Sequence, residues 1–429
     1  MPRQRRQRRS KRIARLTRRG GFLLALGVVA LAASYWLGRR ELLYLGCFVG
    51  LLPLLALAFV RLRPMRLSVM RSFSPPVVSA GHPAIVVVSV GNLAAMPTME
   101  ANWRDSWPWQ PLATQPARLP SLVPRRLYSA RRGALTLLRY ELLPPRRGVF
   151  RIGPMLVDFS DPFGLADGAL TAGSSDSLIV TPDVVALADD IVSTAADEGQ
   201  VRMLQRRALG GEDDLMTREY RRGDALRRVH WRASAHHGEL MVRQEEQRSH
   251  AEAHLLLDTR RSHYRDALSG VDGDGPESES FEWAVKLTAS LCLHLQRTGF
   301  IVQVLETGET QLAAPDRPGE FLESLASVAL TDASSGELSL SHGAQRPDRS
   351  QGSVFAIISD VDPPTLERLV THRHSFDRAV AFLVTPRYRA LAEPLRAAGW
   401  TCIPAAPDDP IEQAWSALGA EQAVGRGHT

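Results

Sequence analysis

Two uncharged stretches constrain this chain more than anything else in it. Residues 20–38, GGFLLALGVVALAASYWLG, carry no charged side chain, and neither do residues 42–60, LLYLGCFVGLLPLLALAFV. Each has the length an α-helix needs to cross roughly 30 Å of hydrocarbon. Only Arg39, Arg40 and Glu41 separate them, so residues 20–63 are expected to form a tight two-helix transmembrane hairpin. Pro53 is expected to kink the second span, which lipid tolerates when neighbours satisfy the freed carbonyl.

Charge then orients the hairpin. Residues 1–19 form a basic tail with ten basic residues and no acid, and Arg61, Arg63, Arg66 and Arg71 follow the second span. Basic residues stay on the cytoplasmic face, and two spans return the chain to the side it left. The expected location is a cell membrane, with both termini and the main body cytoplasmic. The lipid bilayer is then the first partner, and the tail is drawn to anionic headgroups. A competing pattern is Thr17-Arg18-Arg19-Gly20-Gly21-Phe22-Leu23, which resembles a twin-arginine export signal with one residue too many before the Phe.

The net charge of +6 hides an uneven distribution: residues 1–75 carry +15 and the remainder −9. An acidic body excludes a broadly basic nucleic-acid-binding domain, and no nucleic acid is expected as partner. The basic residues are arginines apart from Lys11 and Lys286, so an Arg-rich stretch says less than usual about phosphate recognition. Cys47, Cys292 and Cys402 are far apart and form no Cys-x-x-Cys pair, against both a disulfide framework and a cysteine zinc site.

Residues 64–185 read as a β-sandwich-like domain. Short β-branched runs at 84–90, 135–142, 149–152, 155–159 and 178–180 are punctuated by Gly and Pro turns. Trp103, Trp107 and Trp109 are expected to close one end of it. From residue 251 to 421 the rhythm changes to buried strands alternating with amphipathic helices, the pattern of a doubly wound parallel α/β domain. Its strands are expected at 253–258, 301–305, 354–360, 379–384 and 401–404, with helices at 281–297 and near 319–329, 364–371, 387–398 and 410–420. The Gly/Ser-rich acidic run 270–280 is a loop at the first strand's carboxyl end, and 422–429 is a tail.

Between the two domains, within the segment 186–250, lies residues 210–246, GGEDDLMTREYRRGDALRRVHWRASAHHGELMVRQEE. Asp214, Arg218, Tyr220, Gly223, Asp224, Arg227, Trp231 and Ser234 are its candidate docking or interdomain network. Arginine forks can pair with Asp213, Asp214, Asp224 and Glu219, Gly223 suits a turn, and Tyr220 and Trp231 can shield such pairs from water. The run Gly-Gly-x-Asp-Asp-Leu, then Arg218-x-Tyr220-x-x-Gly223-Asp224-x-x-Arg227-x-Val229-x-Trp231-x-x-Ser234-Ala235, then Leu240-x-Val242-Arg243, resembles the defining motif of the bacterial proteins grouped as domain of unknown function 58. Arg147-Gly148-x-Phe150 and Asp161-Pro162-Phe163-Gly164-Leu165 extend the resemblance. His236-His237 departs from it, because the family more often has Arg there. The resemblance implies a membrane hairpin, a β-rich region and a C-terminal domain like von Willebrand factor type A. It also implies a MoxR-like AAA+ ATPase as partner, in assembly or maturation of other proteins.

The chemistry that such a domain would carry is only partly present. Type A domains hold a divalent cation with Asp-x-Ser-x-Ser, whose small hydroxyls leave room for water. Here the run is Asp258-Thr259-Arg260-Arg261-Ser262, with Asp360 as a later acid. Arg260 cannot ligate, so Asp258, Ser262 and Asp360 are a degenerate candidate, and no metal or other cofactor is expected. There is no His-Glu-x-x-His, no Gly-x-Ser-x-Gly elbow and no Walker A loop. His236 and His237, if in a strand, would point to opposite faces. The expected function is a membrane-anchored, non-catalytic interaction or scaffold protein that binds partner proteins. The alternative is a hydrolase with its site in residues 210–246, using Asp224 or His236.

Overall fold

Both apolar stretches are helical in the computed structural model, which describes residues 12–63, 65–109, 116–124, 135–189, 217–220, 229, 231–243, 252–267, 278–332 and 352–426. Helix α1 is Arg18–Leu37 and α2 is Arg40–Leu62, both long and apolar enough to cross a membrane. Thr17 caps α1 by accepting the Gly20 N–H at 3.1 Å, and Gly38, at φ +61°, ends it. Gly20, Gly27 and Ser34 are the buried residues of α1, and Gly46, Pro53, Ala56 and Val60 those of α2. Gly27 of α1 faces Gly46 and Gly50 of α2, and the absence of side chains there lets the two backbones approach closely. A Cβ on Gly27 would lie 2.7 Å from the Gly50 backbone. Away from the seam, Phe22, Leu26, Tyr35, Trp36, Tyr44, Phe48 and Leu55 are exposed.

The chain divides into two compact units, 1–182 and 183–429. In the first, the strands are β1 (Arg12–Leu16), β2 (Leu67–Ser74), β3 (Val77–Ser79), β4 (Ala84–Asn92), β5 (Ala101–Arg104), β6 (Ala117–Leu119), β7 (Leu135–Leu142), β8 (Gly148–Ile152), β9 (Met155–Ser160), β10 (Ala166–Ala172) and β11 (Asp176–Thr181). They form three sheets, ordered β1-β10-β9-β5-β6, β3-β11-β8 and β2-β4-β7. All the pairings are antiparallel except β3 with β11. The expected sandwich is thus divided further, and the corners explain why. Gly153-Pro154 separates β8 from β9, which lie in different sheets; Gly153 is at φ +94° and Pro has no N–H for a ladder. A single apolar core lies between the sheets, built from Val86, Val88, Val90, Leu119, Leu142, Ile152, Met155, Val157, Leu178 and Val180.

A buried ion pair ties these sheets together. Arg71 on β2 donates through Nε and Nη2 to both oxygens of Asp105, each at 2.7 Å, with neither side chain exposed. Tyr140 on β7 donates its hydroxyl to the same carboxylate at 2.8 Å. Trp107 stacks on Tyr140 with ring centroids 5.6 Å apart, and Trp109 meets Phe150 edge-on. Trp103 and Trp107 are buried, so these two tryptophans cover the network within the core.

The tail also takes part in the fold. β1 pairs antiparallel with β10, from Arg12 opposite Leu170 to Leu16 opposite Ala166. The strand alternation turns Ala14 and Leu16 toward the core and leaves Ile13 and Arg15 exposed. Ala56 and Val60 of α2 are part of the same core. The hairpin and the strands are therefore one body.

In the second unit, β14 (Glu252–Leu257), β15 (Ile301–Glu306), β16 (Ser353–Ile358), β17 (Arg378–Val384) and β18 (Thr401–Ala405) form a fully parallel sheet, ordered β15-β14-β16-β17-β18. Helix α4 (Glu279–Arg297), α5 (Pro318–Ser327) and α8 (Ile411–Arg426) cover one face through Phe281, Phe321 and Trp415. Helix α6 (Pro363–His372) and α7 (Tyr388–Ala397) cover the other through Leu369, Leu391 and Leu395. This is the doubly wound arrangement that the alternating pattern implies. Residues 183–189 join it: Lys286 pairs with Asp183 at 2.7 Å, and Trp415 donates to the Ala188 carbonyl at 3.0 Å. Ser278 caps α4, while most of the acidic run 270–280 lies outside the described residues.

Candidate functional site

The strand order places the site. Numbered within this sheet, the order runs 2-1-3-4-5, so the strand order, though not the strand direction, reverses between β14 and β16. Crevices outside the carboxyl ends of strands at such a switch point are where doubly wound folds bind ligands. Asp258 follows β14 and Asp360 follows β16, so both candidate acids stand at this crevice.

Each acid there is already engaged by the protein. Asp258 is fully buried; the His263 Nδ1–H points at both its oxygens at 2.9 Å, and the Thr307 hydroxyl donates to Oδ1 at 2.6 Å. On the far side of the ring, His263 Nε2 faces the Asp362 N–H at 3.4 Å and its carboxylate at 3.7 Å. Arg260 donates to the other Asp362 oxygen at 2.8 Å. Asp360 forms an ion pair with Arg265 and accepts from the Thr385 hydroxyl, and its N–H donates to the His263 carbonyl at 3.0 Å. Ser262 is exposed on the 3-10 turn Arg261–His263.

These residues do not fit a divalent cation. Asp258 accepts from His263 and Thr307, while Arg265 pairs with Asp360 and Arg260 with the adjacent Asp362, and the two guanidinium cations would repel a metal. Burial works against ionising Asp362, but hydrogen bonds from Thr365 and the neighbouring His263 and Arg260 outweigh it and hold the carboxyl below its usual value. Asp362 also caps α6, accepting the Thr365 N–H at 3.0 Å. The arrangement is a charge-matched surface in which His263 bridges the ends of β14 and β16.

Of the motif residues, Asp214, Gly223, Asp224 and Arg227 lie outside the described residues. The others meet in a small unit of β12 (Thr217–Glu219), α3 (Trp231–His237) and β13 (Met241–Arg243). β12 and β13 pair antiparallel with Arg218 opposite Val242, and the half-buried Tyr220 donates its N–H to Leu240 at 2.8 Å. Val229 bridges to Val242, and both are buried. Ser234 accepts the Met241 N–H at 2.8 Å, which stitches α3 to β13. His236 and His237 end this helix and do not lie in a strand. Trp231, at its first position, is 68% exposed. Among the described residues no group of three or more His, Cys, Asp or Glu is placed to hold a metal.

Sequence reasoning found Asp258 and Asp360 but missed His263, Thr307, Arg265, Asp362 and Thr385. Asp362-Pro363-Pro364 is a readable helix start, a capping acid followed by Pro at the first helical position. Nothing local marks Thr307 or Thr385, which arrive from other strands.

Residues 216–376 match the family described as Protein of unknown function DUF58. No curated protein matches the chain. Among solved structures, the chain is similar to the CARDB domain of a Pyrococcus furiosus protein in complex with di-metal ions, with 15% identity, 27% of this chain and 88% of that one covered, and a TM-score of 0.19. A Paenibacillus cycloisomaltooligosaccharide glucanotransferase complexed with cycloisomaltoheptaose has 13% identity, with 79% of this chain and 53% of that one covered, and also a TM-score of 0.19. At these scores neither likeness bears on the fold or activity of this chain.

Proposed function

We propose that this protein is a non-catalytic interaction protein, anchored in the bacterial cell membrane by α1 and α2, whose cytoplasmic body docks partner proteins. The observation that carries the reading is Trp231, a large aromatic left 68% exposed on a helix fixed by the Ser234 bond. Exposed tryptophans on rigid supports are the side chains that anchor protein interfaces. The crevice at Asp258 supports the non-catalytic part, because its acids are held by His263, Arg260 and Arg265. The α/β unit is read as von Willebrand factor type A-like, with its metal position taken up by the side chains that engage Asp258 and Asp360. The partner is a MoxR-like AAA+ ATPase, and the task is assembly or maturation of other proteins.

The test is affinity capture of the detergent-solubilised full chain, with and without nucleotide, compared with a Trp231→Ala variant. Recovery of an AAA+ ATPase that falls at least tenfold in the variant supports the proposal. Equal recovery by both proteins removes Trp231 from the interface, and recovery by neither sinks the partnership.

A further inference from the structure

The turn between β9 and β10 is built as a rigid support for one exposed aromatic side chain. Asp161 is buried and accepts three backbone N–H groups: Phe163 at 2.9 Å, and Leu165 and Ala166 at 2.6 Å each. Its own N–H donates to the Ala166 carbonyl at 3.0 Å and its carbonyl accepts from Gly164, which sits at φ +66°. At the tip stands Phe163, 73% exposed and the most exposed phenylalanine among the described residues. A side chain of this kind costs solvation free energy in water, and a locked turn cannot fold it away.

The same turn is bonded to the start of the first span. The Thr17 N–H donates to the Leu165 carbonyl at 2.9 Å, and the Thr17 hydroxyl donates to the Gly164 carbonyl at 2.8 Å. A Cβ on Gly20 would collide with the Leu165 carbonyl oxygen, so the first turn of α1 sits directly on this loop. Gly20 is where the uncharged stretch begins. Two residues of chain reach at most about 7 Å, so the Phe163 backbone lies within that distance of Leu165, the residue on which the α1 entry sits. The headgroup layer is about 5–7 Å deep on each side of the hydrocarbon. Arg15, Arg18 and Arg19 are exposed around the same end of α1.

We propose that the Asp161–Leu165 turn is a membrane-surface contact, with Phe163 inserted among the headgroups of the bilayer that α1 enters and the flanking arginines paired with lipid phosphate. The inference rests on the reading of α1 and α2 as membrane spans. It adds that the β-rich unit is held flat against the lipid surface, with the turn as its second anchor.

The test uses the full chain in vesicles of mixed zwitterionic and anionic phospholipid. Cys47, the exposed thiol, is replaced by Ala; Cys292 and Cys402 are buried, their thiols pushed up to about 12 and about 11, and stay unlabelled. Phe163→Cys and, separately, Leu26→Cys, whose position is exposed on α1, carry an environment-sensitive fluorophore. Quenching by lipids spin-labelled near the headgroup or deep in the chain reports depth. The expected result is at least twofold stronger quenching by the shallow label than the deep one at position 163, and the reverse at 26. Water-like emission at 163 with deep quenching at 26 overturns the proposal and leaves the spans standing. No quenching at either position overturns both.

Discussion

Removing Asp105 takes the two-pronged partner away from a buried cation. The Arg71 guanidinium is fully buried, and burial alone would lower its pKa; the bonds to Asp105 and Asp176 outweigh that and raise it. Burial and the Asp105 charge likewise push the Tyr140 phenol up. Asp105→Ala leaves this cation with only the Asp176 contact at 3.2 Å and the Ser174 carbonyl at 2.6 Å. A destabilisation of about 3–5 kcal/mol is expected, as for other broken buried pairs. Urea unfolding followed by tryptophan fluorescence measures it, and a loss under 1 kcal/mol would falsify the network's role. A second residue makes stability depend on pH. Burial holds the His294 imidazole below its usual 6.5, with Arg297 acting the same way and Asp189 opposing. Below pH 6.5 the unfolded chain takes up this proton before the folded one does, so stability falls as pH drops through that value. Melting temperatures at pH 8 and pH 5.5 should differ less in His294→Phe than in the parent protein. The ring packs edge-on against Trp415 at 5.4 Å, with neither nitrogen hydrogen-bonded, so Phe keeps the shape.

Elements differ in how far their own residues explain them. The long helix pair is specified locally: two uncharged runs, a three-residue link and glycines where the helices cross. In Gly27→Leu a side chain must enter space held by the Gly50 backbone, so the helices separate and repacking costs on the order of 1–3 kcal/mol. A lower melting temperature in detergent is the expected readout, and Gly21→Leu, whose Cβ meets nothing within 4 Å, should behave like the parent. The α/β strands and helices were also readable, because buried strands make continuous apolar runs and helices show their period. The β1 strand was not. Arg12-Ile13-Ala14-Arg15-Leu16 looks like part of a basic tail, and its partner β10 lies some 150 residues away. The sheet count was not legible either, since Gly153-Pro154 reads equally as a hairpin turn or a corner between sheets.

At the scale of the whole molecule, charge and topology make one statement. The +15 of residues 1–75 flanks two spans, and the −9 of the remainder belongs to the body. If the basic flanks stay inside, the short link faces outward and the second unit does not. Arg40→Cys should then react with a membrane-impermeant maleimide in intact cells, and Ser262→Cys only after permeabilisation, each in the Cys47→Ala background. The opposite pattern would place the body outside and revive the export reading of Arg18-Arg19. What the sequence by itself determined is where the two long apolar helices and the strands and helices of the α/β unit lie, because periodicity and apolar length are properties of neighbouring residues. It also brought Asp258 and Asp360 forward, since acids that end buried strands are visible locally. Only the tertiary structure decided what those acids do. Thr307 reaches Asp258 and Thr385 reaches Asp360 from the ends of other strands, while the turn that follows Asp258 brings His263 onto it and Arg265 across to Asp360. Likewise, the β9–β10 turn became a candidate lipid contact only when Thr17 was found bonded to it across 147 residues.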